Sequence, residues 1–220
     1  RDNGGDIADL KKQAMEELSA IGVTFPVHCY HYIKSGDTTA LDTATVLKQC
    51  FSESLGDDFV VLDIGTYVSS LYKEVRNVQL HSILQNGWGA DFGDPVNFLG
   101  QETYGEDNAF YSQSYSKINN ATDEKLIATY KEFTELVNAA KAITDDLDAR
   151  YAAFAKAEAY MLQHALVIPW NYEVTWKVTS INEYTKIYTA YGNQGERYVN
   201  WETNSDLYTT EDYEAIKAGK

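Results

Sequence analysis

The chain has 220 residues, with 18 Lys and Arg against 33 Asp and Glu and a formal net charge of -15 at pH 7. This acidity argues against a nucleic-acid partner and against docking on an anionic membrane surface, because both need clustered basic residues. Hydrophobic residues make up 44% of the chain, which is ordinary for a globular protein and argues against long-range disorder, and no apolar run is long enough to span a bilayer.

Helices and strands alternate in the first third of the chain, as judged from the spacing of apolar residues. The predicted elements are a helix over 6–21, a strand over 23–33, a helix from Asp37 or Thr38 to Gly56, a strand over 59–64, a short helix over 67–75 and a strand over 79–85. This order predicts an α/β sheet with crossover connections.

The middle and the end of the chain are predicted to differ from this pattern. Residues 86–121 form a long loop region with a short helix after Asp94, which is expected to cap it. Two long helices follow, one with the apolar stripe Leu126, Tyr130, Phe133, Val137 and Ala140, and one that begins at Asp145 or Asp146. A strand over 165–170 and a final helix from Thr210 or Glu211 complete the prediction.

The short motifs that mark common catalytic and metal sites are absent. No nucleotide-binding glycine loop, nucleophile elbow or His-Glu-x-x-His motif occurs, and no catalytic residue, metal or cofactor is predicted. His28 and His31 lie on opposite faces of a predicted strand, and Cys29 with His31 gives two ligands where a zinc site needs three or four. Cys29 and Cys50 are either a disulfide or two free thiols.

The most distinctive stretch is GWGADFGDPVNFL, residues 87–99. Gly87 and Gly89 allow another group to approach the main chain closely, Trp88 offers a flat apolar wall with one N–H donor, and Asp91 places a carboxylate just beyond. The alternative is a tight loop in which the indole belongs to the core, the carboxylate accepts local main-chain N–H groups, and the glycines serve only turn geometry.

This stretch resembles the GW-x-AD-x-x-DP-x-NFL signature of the bacterial family 5 extracellular solute-binding proteins, the oligopeptide and dipeptide receptors of ABC importers. The resemblance extends to Leu41–Ala44, Asp63–Tyr67, Ala149–Tyr151, Phe154–Glu158, Leu166–Pro169 and the tail Leu207–Glu214. It implies an α/β fold, the C-terminal lobe of a type II periplasmic-binding-protein-like fold with a mixed sheet flanked by helices. Residues 1–170 would form the ligand-binding lobe, and 171–220 a return segment toward the N-terminal lobe.

The resemblance also implies a function and a set of site residues. The protein is expected to be a non-enzymatic receptor for extended peptides that works with membrane permease subunits, outside the cytoplasm, as a periplasmic protein or a lipoprotein whose N-terminal lipid anchor has been lost. In the peptide receptors the Asp of the motif pairs with the peptide's α-amino group, which assigns that role to Asp91. Gly87 and Gly89, on either side of Trp88, would bond the peptide main chain.

Three further residues are weaker ligand-binding candidates. Arg76 is a candidate for a ligand carboxylate, with a solvated position at a helix end as the alternative. Trp170 and Tyr172 are candidates for lining the cleft, with core packing as the alternative. Two other functions stay open at this point: a receptor of the same fold for an oligosaccharide or a metal complex, and an unrelated α/β hydrolase that uses paired carboxylates.

Overall fold

The structure, a computed structural model, describes residues 6–107, 109–171, 180–182, 185, 200–203 and 209–218. Its α-helices and β-strands are, in chain order, α1 (Ile7–Ala20), β1 (Val27–Lys34), α2 (Thr38–Leu55), β2 (Val60–Tyr67), α3 (Val96–Leu99), α4 (Phe110–Ser114), α5 (Glu124–Lys141), α6 (Leu147–Gln163) and α7 (Thr210–Ala218). Two compact units are present: unit 1 consists of Arg1–Gly87 and Phe110–Ile118, and unit 2 of Trp88–Ala109 and Asn119–Lys220.

A strand-helix-strand arrangement forms the centre of unit 1. β1 and β2 pair in parallel, with Val27 opposite Val60, and α2 makes the connection because a tight turn cannot join parallel strands. The Asp37 carboxylate caps α2 by accepting the main-chain N–H of Ala40 at 2.9 Å. Gly56 follows the last residue of α2 with a φ of 82°. These bounds confirm the predicted order of the first two strands and the helix between them.

The predicted strand over 79–85 is wrong. Within this stretch Ile83 alone pairs with β1, through a single parallel bridge to His31. Gln79 has a φ of 55°, in the left-handed region, so the chain turns where a strand would begin. The hydroxyl of Ser82, rather than a main-chain carbonyl, accepts an N–H of β1 at 3.0 Å. The hydrogen bond to the Ser82 side chain therefore replaces one of the main-chain hydrogen bonds that would extend the sheet.

A mixed sheet was predicted. In the described residues, parallel and antiparallel pairing occur in two separate places. The two-stranded sheet of unit 1 is parallel. Antiparallel pairing occurs as one isolated bridge, between Ile181 and Thr203 of unit 2.

Glu74 stabilises the turn that follows β2. The short helix predicted over 67–75 is a single π-helical turn, Tyr72–Arg76. The Glu74 carboxylate accepts the main-chain N–H groups of Val68, Ser69 and Ser70 at distances of 2.9, 2.8 and 2.7 Å. These hydrogen bonds favour the ionised form and lower the pKa of the Glu74 carboxyl to about 2.

We expect Glu74→Gln to destabilise the protein at neutral pH and to have no effect in strong acid. A carboxyl whose pKa is lowered on folding stabilises the protein above its ordinary pKa, and this contribution is lost as the pH falls toward 2. The melting temperatures of the wild type and the variant should therefore differ at pH 7 and converge at low pH. Glu16→Gln, at an exposed position of α1, is the matched control. A difference that does not change with pH would contradict this role for Glu74.

α1 confirms the predicted first helix but leaves part of its apolar stripe uncovered. Ile7 and Leu10 are 60% and 51% exposed. Lys11 connects the helix to the loop before β2, because its Nζ lies 2.6 Å from Asp58 Oδ1. This is a surface ion pair, and such pairs contribute little to stability because water screens the two charges.

The core of unit 2 lies where α3, α5 and α6 meet. It consists of Leu99, Phe133, Val137, Ala140, Phe154, Ala157 and Met161. α5 and α6 begin directly after Asp123 and Asp146, each of which caps its helix by accepting a main-chain N–H through its carboxylate. The predicted apolar stripe of α5 is confirmed, except that Leu126 is 43% exposed.

The predicted strand over 165–170 is also wrong, because the chain reverses at the end of α6. Ala165 has a φ of 52°, and the N–H groups of Ala165 and Leu166 donate to the carbonyls of Leu162 and Met161. These two hydrogen bonds form a Schellman motif. Leu166 then packs against the core of unit 2, so its apolar side chain serves the helix end rather than a strand.

The last helix, α7, begins where it was predicted. Thr209 and Asp212 form a reciprocal cap, in which each main-chain N–H donates to the other residue's side chain, at 2.7 and 3.2 Å. The predicted boundary near residue 170 stays a prediction. Across the ranges that the structure describes, no helix combines the length and the apolar character needed to cross a bilayer.

Candidate ligand-binding segment

Asn97 organises the distinctive segment from its position in α3. The residue is buried, with 5% of its surface exposed. Its side-chain oxygen accepts two hydrogen bonds, from the indole Nε1 of Trp88 at 2.8 Å and from the main-chain N–H of Asp91 at 3.1 Å. One buried amide therefore fixes both the aromatic ring and the backbone that carries the acidic residue.

The Asp91 carboxylate takes no part in this network. The residue is exposed, and its main-chain N–H is the group that bonds Asn97. Its carboxylate makes no hydrogen bond or ion pair with any residue that the structure describes. The carboxylate thus retains its capacity to accept hydrogen bonds from a cation.

Neither the backbone conformation nor the packing of the loop requires a glycine at position 87 or 89. Neither has a positive φ, and a Cβ built on either would meet no described atom within 4 Å. Gly87 belongs to unit 1, where its N–H donates to Asn86 Oδ1 at 2.9 Å and its carbonyl accepts the hydroxyl of Tyr111 at 2.7 Å. The main-chain groups of Gly89 have no partner among the described residues, so Gly89 is better placed than Gly87 to bond another chain.

Asp94 connects the segment to the core helices of unit 2. One carboxylate oxygen accepts the N–H of Val96, the first residue of α3, at 3.0 Å, and the other accepts Arg150 Nε at 2.8 Å. The residue at the N-cap position of α3 is Pro95 rather than Asp94, which was predicted there. Partial burial alone would raise the pKa of the Asp94 carboxyl, but the hydrogen bonds from Arg150 and Val96 outweigh it and hold the pKa below its usual value.

Arg150 was not identified as a site-supporting residue from the sequence. Its Nη1 donates to the carbonyls of Ala140, Lys141 and Ile143, at 3.2, 2.9 and 2.8 Å, where α5 ends. One guanidinium therefore joins the end of α5, its own helix α6 and Asp94. The segment 149–151 carried part of the family resemblance, but nothing in its spacing indicated these contacts.

Of the three weaker candidates, Arg76 and Trp170 make no contact with the Asn97 network among the hydrogen bonds and ring contacts of the described residues. Arg76 lies in unit 1, with its guanidinium 4.3 Å from the ring centre of Tyr72 and 5.0 Å from that of Tyr115, an arrangement typical of cation–π contacts. Trp170 is half exposed. Tyr172 lies outside the described residues.

The cysteine and histidine residues take ordinary structural positions. Cys29 and Cys50 are free thiols, and burial raises the pKa of the Cys29 thiol. His28 Nδ1 lies 2.6 Å from Asp63 Oδ2, and His31 Nδ1 lies 3.4 Å from the carbonyl of Ile83. Within the described ranges, no three His, Cys, Asp or Glu residues are grouped so that they could hold a metal ion.

No protein-family model matches the chain, but curated relatives do. The chain is 30% identical over 174 residues to the oligopeptide-binding protein SarA of Streptococcus gordonii, a match that covers 74% of this chain and 25% of that protein. It is also 30% identical over 169 residues to the oligopeptide-binding protein AliA of Streptococcus pneumoniae, covering 71% of this chain and 25% of the relative. The chain therefore spans about a quarter of the length of these relatives.

A solved structure shares the fold. The crystal structure of Haemophilus influenzae OppA in complex with RPPGFSPFR superposes with a TM-score of 0.50 and 16% identity, over 72% of this chain and 28% of that one. At this level of identity the likeness concerns the fold alone, and it confirms the predicted α/β class of the periplasmic-binding-protein type. Both streptococcal relatives are named as binding proteins and not as enzymes, which agrees with the expectation for this chain.

Proposed function

The chain is a relative of the bacterial oligopeptide-binding proteins over about three-quarters of its length, and on that premise we propose that it belongs to the substrate-binding component of an ABC importer of oligopeptides. The observation that supports this most directly is the Asp91 carboxylate, which is exposed and has no described partner on a loop that Asn97 fixes. In this proposal the carboxylate pairs with the α-amino group of the peptide.

The chemistry of the segment suits a peptide end. An ammonium taken from water into a closed site needs an anionic partner, because an unpaired buried charge is unstable. A carboxylate on a preordered loop supplies that partner without the entropy cost of ordering the loop at the moment of binding. Asn97 provides this order, since it holds the main chain of Asp91 itself.

Gly89 adds a way to bind peptides of many sequences. Its unpaired N–H and carbonyl can bond an extended peptide main chain as an added strand does, and the open space around its Cα allows the close approach that this needs. Main-chain hydrogen bonds do not distinguish one side chain from another. We therefore propose that the segment recognises the peptide's amino end and main chain, and that side chains contribute less.

The partners and the location follow from the same proposal. We propose that the protein delivers its peptide to membrane permease subunits, and that it works outside the cytoplasm as a periplasmic protein or as a lipoprotein of the cell surface. Its net charge of -15 gives no electrostatic attraction to an anionic bilayer, so a lipid anchor is the proposed means of attachment in the second case.

The proposed function can be tested by a thermal-shift experiment on the full gene product that contains this chain. Unblocked alanine peptides of four to eight residues should raise the melting temperature, because a ligand at one hundred times its Kd stabilises the folded state by about 2.7 kcal/mol. Oligosaccharides should leave the melting temperature unchanged. A shift with sugars and none with any peptide would replace this proposal by the sugar-receptor alternative.

A further inference from the structure

The orientation of the Asn97 side chain is fixed by its two partners. The indole N–H of Trp88 and the main-chain N–H of Asp91 can only donate hydrogen bonds, and both meet the same side-chain atom. That atom must therefore be the amide oxygen, since the NH₂ group of an asparagine cannot accept. The NH₂ group consequently occupies the other end of a side chain that cannot turn over without losing two hydrogen bonds.

This NH₂ group has no acceptor in the described part of the protein. Only 5% of the surface of Asn97 is exposed, yet its side-chain contacts to described residues are the two that its oxygen accepts. An immobilised donor that protein atoms do not use is available to an acceptor on a ligand.

We propose that Asn97 is a ligand-binding residue, and that its NH₂ group donates to the carbonyl oxygen next to the α-amino group of the bound peptide. The proposal rests on the proposed function, because it takes Asp91 as the partner of that amino group. Asn97 accepts the main-chain N–H of Asp91 at 3.1 Å, so the donor and the anionic acceptor belong to two residues that one hydrogen bond joins. An α-aminoacyl end presents the complementary pair, an ammonium and a carbonyl separated by one carbon.

This pairing gives the site a chemical specificity that the carboxylate alone lacks. A single carboxylate binds any small ammonium ion, including simple alkyl amines. A site that requires both groups discriminates against amines without a carbonyl, because the NH₂ group of Asn97 then loses its acceptor. The substrate class that the two residues select is therefore peptides with a free amino end.

The substitution Asn97→Asp separates this role from that of holding the loop. Aspartate keeps an oxygen for Trp88 and Asp91 but replaces both N–H donors by an acceptor. We expect it to bind the tightest alanine peptide of the thermal-shift panel about tenfold more weakly than the wild type, the effect of one lost hydrogen bond. The added negative charge attracts the peptide's ammonium, so a loss of affinity would run against that attraction.

The peptide offers a second measurement that needs no variant. An analogue whose first carbonyl is a thioamide keeps the ammonium but has a weaker acceptor, and the wild type should bind it more weakly than the parent peptide. Asn97→Leu, which removes the oxygen as well, should lose affinity and also change the fluorescence of Trp88. Equal affinity of wild type and Asn97→Asp, or of the wild type for both peptides, would overturn the direct contact. Either result would leave the proposed function intact. The proposed function itself fails only if the wild type binds no peptide.

Discussion

Replacing Asp91 by Asn is expected to weaken peptide binding by about a hundredfold or more, the largest effect of any single change in the segment. Asparagine has nearly the same shape as aspartate, and the main-chain N–H that bonds Asn97 is unchanged, so the loop should keep its structure. What is lost is the negative charge. Removing one partner of a desolvated ion pair costs about 3–5 kcal/mol, because the other charge is left buried and unpaired.

The size of the effect distinguishes two situations for this carboxylate. An ion pair that stays exposed to water contributes at most about 1 kcal/mol, which corresponds to about a fivefold change in Kd. Asp91 is exposed in the chain as described. A hundredfold loss would therefore mean that the ammonium and the carboxylate leave water together when the peptide binds. A loss of only a few fold would mean that the peptide's charge is held elsewhere.

Acetylation of the peptide gives the matching change on the ligand. It converts the ammonium into a neutral amide, so the wild type should lose affinity to a similar degree, whereas Asp91→Asn should bind both peptides almost equally. Calorimetric titration of the four combinations measures the coupling. Asp145→Asn, an exposed position in the same unit, makes the same change in charge as a control. If the wild type binds the acetylated peptide as tightly as the free one, Asp91 does not hold the amino group.

The helices could be predicted because the signals that form them are local. The carboxylates of Asp37 and Asp146 cap α2 and α6 as the sequence suggested, and Gly56 ends α2 as predicted. An N-cap bonds an N–H within three residues of itself, so a single sequence contains all the information. The apolar stripe of α5 likewise predicts which side chains of that helix are buried, with Leu126 at its first turn as the exception.

The two strands that were predicted wrongly show what a local pattern lacks. Residues 165–170 are apolar and include the β-branched Val167 and Ile168, and residues 79–85 include the apolar Leu80, Ile83 and Leu84. A strand also requires a partner of matching length, however. The left-handed backbone at Gln79 and at Ala165 turns the chain instead. Neither residue is a glycine, so the sequence gives no sign of these turns.

The candidate segment was predictable from its motif, but its supports were not. Trp88, Asp91 and Asn97 lie within ten residues of one another, and the signature contains all three. The hydrogen bonds that Asn97 accepts depend on how α3 folds back, however, and no periodicity reveals that. The contact between Asp94 and Arg150 joins residues 56 positions apart, which only the packing of α6 can bring together.

Arg150→Met is expected to lower the free energy of unfolding by about 3 kcal/mol, the largest effect on stability that we anticipate outside the apolar core. Its guanidinium makes four hydrogen bonds, to Asp94 and to three carbonyls after or near the end of α5, and the side chain as a whole is 14% exposed. Hydrogen bonds that involve a charged group contribute about 1.5–3 kcal/mol, and a carboxylate left without its partner adds to the loss. Arg150→Lys should not restore stability, since an ammonium cannot reproduce a planar fork of donors.

Urea unfolding of the two variants, beside Lys156→Met as a control at an exposed position of the same helix, measures this effect. The difference in the free energy of unfolding between wild type and Arg150→Met should be largest at neutral pH and smaller in acid. The pKa of Asp94 is lowered on folding, so its ionised form stabilises the protein above its ordinary pKa, and that contribution disappears as the carboxyl takes up a proton. A loss no larger than that of Lys156→Met would show that the carbonyls after α5 and Asp94 are held in place without the guanidinium. The order of the Asn97 network would then come from the apolar contacts of α3 with the core and from the hydrogen bond that Gln101 donates to the Asn97 carbonyl.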